Sequence, residues 1–134
     1  MTYNELKKKH RKEFDNFEMF FAFSDGQFLE GMKSIGLGEN DLNKIKHIGG
    51  GGYVRKENHG KLLDMAEEQV KELAELMGEE KFFKEALAYE LANHEYCITG
   101  DVSDAMDALG LKREEVAENK NQREWLKEVV EKMN

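Results

Sequence analysis

Four consecutive glycines, Gly49-Gly50-Gly51-Gly52, constrain this chain more than any other feature. Glycine loses more backbone freedom on ordering than any other residue, and it adopts positive φ at no steric cost. Four together mark a chain turning through left-handed angles, or bare backbone pressed against a strand, an anion or a partner. Lys44-Ile45-Lys46-His47-Ile48 alternates polar and apolar residues, and Tyr53-Val54-Arg55-Lys56 is rich in strand formers. The glycines between them predict a β-hairpin connection. Two strands alone are marginal, so a third strand or a bed of helices is expected beneath them.

Elsewhere helical periodicity dominates, and no proline interrupts it. Tyr3, Leu6, His10, Phe14 and Phe17 fall at steps of three and four and predict a helix over 3–17. His10 on that stripe reads as a packed or edge histidine rather than a ligand. Met19-Phe20-Phe21-Ala22-Phe23 fits either the end of that helix or a short buried strand, with the strand preferred. Ser24 with Gln27 three residues on forms a capping box, and Phe23 and Phe28 occupy the staple positions. The helix they start runs to about Ile35 and stops at Gly36 or Gly38. Leu62, Ala66, Val70, Leu73 and Met77 predict a helix over 58–77 that ends at Gly78. A second is expected over 79–98. Asp101 can cap a short helix over 102–109 closed by Gly110, and Trp125, Leu126, Val129, Val130 and Met133 form the inner stripe of a last one. The expected class is α+β: one domain over 1–134, mainly helical with four to six helices, and a small antiparallel β-hairpin or short sheet.

The formal charge is −8, unevenly spread. Residues 1–13 hold Lys7, Lys8, Lys9, Arg11 and Lys12 against Glu5 and Glu13, which leaves the remainder strongly acidic. Such a body repels nucleic acid and suits a basic protein surface. The Lys7–Lys12 run reads as a solvated helix face. One cysteine, Cys97, rules out an internal disulfide and suits a reducing cytoplasm. Neither a signal peptide nor a membrane span of about 20 apolar residues is apparent.

On the expected 79–98 helix, Phe83, Ala86, Leu87, Leu91, Cys97 and Ile98 share one face, with Glu90 and His94 in its middle. A carboxylate facing a core needs a partner, and His94, four residues on, can reach it. Three readings follow. Glu90, His94 and Cys97 could offer O, N and S to a metal, with His47, His59 or Asp101 as fourth ligand. The pair could do acid–base chemistry, although no substrate-positioning group is evident. The favoured reading is a buried hydrogen-bonded pair that fixes helix docking, with no cofactor or metal and with Cys97 as a small core residue. The candidate binding loop comprises Gly49, Gly50, Gly51, Gly52, Tyr53, Arg55 and Lys56. Arg55 and Lys56 could hold an anion against bare amides, but no phosphate-loop motif is present. A plain turn and a partner contact are the other readings.

Two segments carry a resemblance. One runs Phe21-Ala22-Phe23-Ser24-Asp25-Gly26-Gln27-Phe28-Leu29-Glu30-Gly31-Met32 and on into Ile48-Gly49-Gly50-Gly51-Gly52-Tyr53-Val54-Arg55-Lys56. The other is Tyr89-Glu90-Leu91-Ala92-Asn93-His94-Glu95-Tyr96-Cys97-Ile98-Thr99-Gly100-Asp101, continuing through Asp104 to Leu111. Across roughly residues 20 to 111 the chain resembles small uncharacterised proteins of bacteriophages and mobile elements of gut bacteria. The resemblance implies no activity. It does imply a genetic setting in which short acidic proteins often inhibit host defence, anti-CRISPR proteins among them. The expected function is a non-enzymatic, cytoplasmic binding protein that blocks a host or phage protein with a basic surface, without direct nucleic-acid or membrane contact. The rival is a small-ligand, anion or metal-binding protein using the Gly49–Gly52 loop and Glu90 with His94.

Overall fold

The computed structural model describes residues 1–134. It is an α+β structure of eight α-helices, two short 3-10 turns and a three-stranded antiparallel sheet. The helices are α1 (Tyr3–Asp15), α2 (Asp25–Ser34), α3 (His59–Leu76), α4 (Glu80–Asn93), α5 (Tyr96–Thr99), α6 (Ser103–Ala108), α7 (Arg113–Glu118) and α8 (Lys120–Met133). The strands are β1 (Phe20–Phe21), β2 (Ile45–Gly49) and β3 (Gly52–Arg55). Two compact units divide the chain, one of Met1–Lys9 with Glu68–Asn134, the other of His10–Glu67.

In the His10–Glu67 unit the sheet order is β1-β3-β2, so the hairpin gains its third strand from the apolar run ahead of Ser24. Phe20 pairs with Tyr53, and their rings stack at 5.3 Å. Phe28 of α2 meets both rings edge-on, at 5.9 and 5.1 Å. Phe20, Ala22, Met32, Ile35 and Leu37 form the buried centre of this unit. Helix α2 begins where the capping signal places it. Ser24 Oγ accepts from Gln27 N at 3.2 Å, and Gln27 Oε1 accepts from Phe23 N at 2.8 Å. It ends in a Schellman motif: Gly36 N donates to Lys33 O, Leu37 N donates to Met32 O, and Gly36 takes φ +78°. The expected staple is replaced. Phe28 turns to Phe20 and Tyr53, while Phe23 is 78% exposed and lies over the bare Cα of Gly51.

The other unit packs α4 against α6 and α8. Its core holds Tyr3, Leu6, Phe83, Leu87, Leu91 and their neighbours, with Trp125, Leu126, Val130 and Met133 of α8 packed on it. Phe83 and Trp125 lie 5.5 Å apart, a ring contact worth about 0.5–1.5 kcal/mol beyond area burial. Helix α6 closes as α2 does, with Leu111 N donating to Met106 O and Gly110 at φ +67°. Asp101 Oδ1 accepts from Ser103 N at 2.8 Å, which holds its carboxyl below the ordinary aspartate range; the nearby Arg113 charge helps.

Three expectations are corrected. The 3–17 helix ends at Asp15, and Phe14 on its stripe is exposed. Val70 of α3 is 67% exposed rather than on a buried face. The 79–98 helix breaks after Asn93, because Glu95 takes left-handed angles (φ 57°, ψ 36°) and redirects the chain into α5. That turn carries Cys97 and Ile98 off the apolar face. Ile98 is 82% exposed, and Cys97 is an exposed thiol rather than a core residue. The break adds α5, and α7 at Arg113–Glu118 adds another, so the expected four to six helices become eight.

Candidate functional site

Glu90 sits on the buried face of α4, 3% exposed, where an ionised carboxylate needs compensation worth several kcal/mol. Three donors supply it. His94 Nε2 lies 3.2 Å from Oε2. The Tyr3 hydroxyl donates to Oε1 at 2.6 Å, and Lys7 Nζ lies 3.5 Å from the same oxygen. His94 reaches Glu90 as the C-cap of α4, where the helix is already ending. Tyr3 and Lys7 stand one turn apart on α1, so a single helical face brings a hydroxyl and an ammonium to one carboxylate. Lys7 Nζ also lies 4.4 Å from the Tyr89 ring centre and 5.4 Å from that of Tyr3. Tyr3 N donates to Glu85 Oε1 at 3.0 Å, which ties the start of α1 to α4 a second time. Burial raises the Tyr3 hydroxyl pKa above the usual tyrosine range, and the hydrogen bond to Glu90 and its charge add to this. Both Glu90 oxygens are thus held by protein donors, and no buried side-chain polar atom lacks a partner.

His94 was visible in the sequence as a partner; Tyr3, Lys7 and Tyr89 were not. The available signal was the demand of a buried carboxylate for a cation, met by a basic helix whose Tyr3 and Lys7 are four apart. Cys97 does not join Glu90 and His94, and no group of three or more His, Cys, Asp or Glu side chains is placed to hold a metal ion.

The glycine tetrad has a geometric account. Gly50 and Gly51 take φ +59° and +79° between the paired Gly49 and Gly52, as a tight hairpin with the strands' own twist requires. A Cβ at Gly51 would fall 2.4 Å from the Phe23 ring, and one at Gly52 2.9 Å from Ile48. Ala22 N donates to Gly51 O at 2.9 Å, which pins the turn to the residue after β1. The basic residues proposed to share an anion with these amides are elsewhere. Arg55 lies three residues along β3 from Gly52, roughly 10 Å at 3.3 Å per residue. Its guanidinium is already engaged: Nε donates to Glu18 Oε1 at 2.8 Å and Nη2 to the Ile35 carbonyl. Tyr53 is committed to the Phe20, Phe28 and His47 rings. The structure therefore does not gather Gly49, Gly50, Gly51, Gly52, Tyr53, Arg55 and Lys56 into one anion cradle.

The acidity is concentrated in residues 68–134, which carry seventeen Asp and Glu against nine Lys and Arg. Fourteen of the seventeen are exposed. Among these fourteen, Glu68, Glu80, Glu128 and Glu131 make ion pairs. Glu114, Glu115 and Glu118 stand together on α7. The basic run at the start of the chain is not simply solvated: Lys7 is drawn to Glu90, and Lys9 Nζ lies 2.6 Å from Glu72.

A family model matches residues 2–132, and the chain belongs to that family, a family of unknown function (DUF7659). No curated protein and no solved structure matched the chain. No helix is long and apolar enough to cross a membrane.

Proposed function

We propose that this is a non-enzymatic, cytoplasmic binding protein of phage or mobile-element type. It uses the acidic exterior of residues 68–134 to occupy the basic surface of a host nucleic-acid-handling protein, as an inhibitor of host defence would. The observation that carries this reading is the separation of carboxylates. The one deeply buried carboxylate, Glu90, is fully partnered inside, while fourteen others face outward with few cations beside them. Fields of one sign steer association and select partners of the opposite sign. The resemblance to phage and mobile-element proteins supplies the genetic setting.

Affinity capture from host lysate tests it, with wild type beside a Glu114→Lys, Glu115→Lys, Glu118→Lys variant. A specific basic, nucleic-acid-handling protein should be retained at about 50 mM salt and released near 500 mM, where the screening length falls below about 5 Å. The variant should lose it. Absence of any specific partner at low salt, or equal retention by the variant, overturns the reading.

A further inference from the structure

Residues 56–134 contain only two arginines, Arg113 and Arg123, and seven of the nine cations after residue 67 are lysines. Both arginines border one cavity of about 230 Å³, whose floor is Val102, Met106, Val116 and Leu126. The sequence distance between them is bridged by the fold: Arg113 opens α7, and Arg123 stands in the first turns of α8.

Their hydrogen bonds orient them without neutralising them. Arg113 Nη2 donates to the Ser103 hydroxyl at 2.9 Å, and Arg123 Nη1 donates to the Ala117 carbonyl at 3.1 Å. Neither forms an ion pair, although this part of the chain carries a large excess of carboxylates. Asp101, which senses the Arg113 charge, already accepts the Ser103 amide. A guanidinium presents a planar fork of donors that matches carboxylate or phosphate oxygens, and it is more weakly hydrated than an ammonium. Two such forks at the rim of an apolar floor make a site with a charged end and a greasy end. The volume lies below that of a site for a drug-sized molecule.

We infer that this cavity binds a small amphipathic anion, with a carboxylate or phosphate head held between Arg113 and Arg123 and a short apolar body on Val102, Met106, Val116 and Leu126. The inference is independent of the acidic exterior and of any protein partner.

Titration of the full chain with octanoate, octyl phosphate, octanol and octyltrimethylammonium, followed by amide NMR shifts, tests it. Octanoate or octyl phosphate should shift the residues of α6, α7 and the start of α8, and whichever binds tighter identifies the head group. Octanol should bind at least tenfold more weakly, and the cationic amphiphile not at all. Arg113→Gln and Arg123→Gln should each weaken the anion at least fivefold while leaving the remaining amide spectrum, and so the fold, unchanged. Three results overturn the proposal: no saturable shift with either anion at millimolar concentration, equal binding of octanol, or wild-type affinity in both glutamine variants.

Discussion

Replacing Tyr3 by Phe removes one hydroxyl from the Glu90 cluster and leaves the ring contacts to Phe82 and Tyr89 in place. That hydroxyl donates to a carboxylate at 2.6 Å inside the core, and hydrogen bonds to charged groups contribute about 1.5–3 kcal/mol. Glu90 keeps Lys7 at 3.5 Å and His94 at 3.2 Å, so the loss should stay within that range. Stripping every partner from a buried charge would cost more, about 3–5 kcal/mol. Urea titration at pH 7 should therefore move the midpoint down by about 1 M at a slope near 2 kcal/mol per M. In a Glu90→Gln background the same substitution should cost at least about 1 kcal/mol less, because the charge that makes the bond strong is gone. The pH dependence supplies a second readout. The folded state raises the Tyr3 pKa, so below pH 10 both states hold the proton and the contribution is complete. Above about pH 10 the unfolded chain releases it first, and stability falls by up to about 1.4 kcal/mol per pH unit until the folded protein also titrates. Tyr3→Phe should lack that component of the alkaline slope. A cost below about 0.5 kcal/mol, or an alkaline slope identical to wild type, refutes the assignment of Tyr3 as principal donor.

Gly31→Ala should destabilise by about 1–3 kcal/mol in thermal or urea unfolding despite alanine's better helix propensity, because its Cβ would fall 2.1 Å from the buried Phe20 ring. Glu95→Gly should stabilise by about 0.5–1 kcal/mol, since relief of the left-handed strain outweighs the added freedom of the unfolded chain. Arg55→Lys should cost about 1–2 kcal/mol of urea stability, because an ammonium cannot serve Glu18 and the Ile35 carbonyl with the same planar fork. Fluorescence anisotropy with duplex DNA at about 50 mM salt should show no binding, since the exposed carboxylates repel the phosphates.

Caps and turns in the chain match the structure because their physics is local, although the equally local staple of Phe23 and Phe28 gives way to the Phe20 and Tyr53 rings. Ser24, Gln27 and Gly36 mark both ends of α2 because caps act within a few residues. The glycine hairpin is equally local, since positive φ at Gly50 and Gly51 is a property of the turn itself. Reading failed where one residue redirects everything after it. Nothing in the Glu79–Ile98 pattern signals a left-handed angle at Glu95, a conformation seldom adopted by glutamate, yet it decides whether Cys97 and Ile98 are core or surface. Contacts across long sequence separations were also hidden. Tyr3 and Lys7 on α1 meet Glu90 more than eighty residues later, and Arg113 joins Arg123 through helix packing that no spacing rule encodes.

The same separation explains why the basic start of the chain should not be read as a nucleic-acid site. Phosphate binding needs several cations presented together and free to exchange their counterions. Lys7 is held by Glu90 and by the faces of Tyr3 and Tyr89, and Lys9 by Glu72, so nucleic acid would have to displace carboxylates already in place. For Lys7 the displacement would also leave Glu90 with one charge partner fewer inside the core, a cost that a solvated lysine on an open helix face would not carry. The positive local charge of residues 1–13 is thus partly internal counter-charge. The exposed face of residues 68–134 carries lysines among its carboxylates but is negative in balance, and a partner that reads charge there must bring the positive side itself.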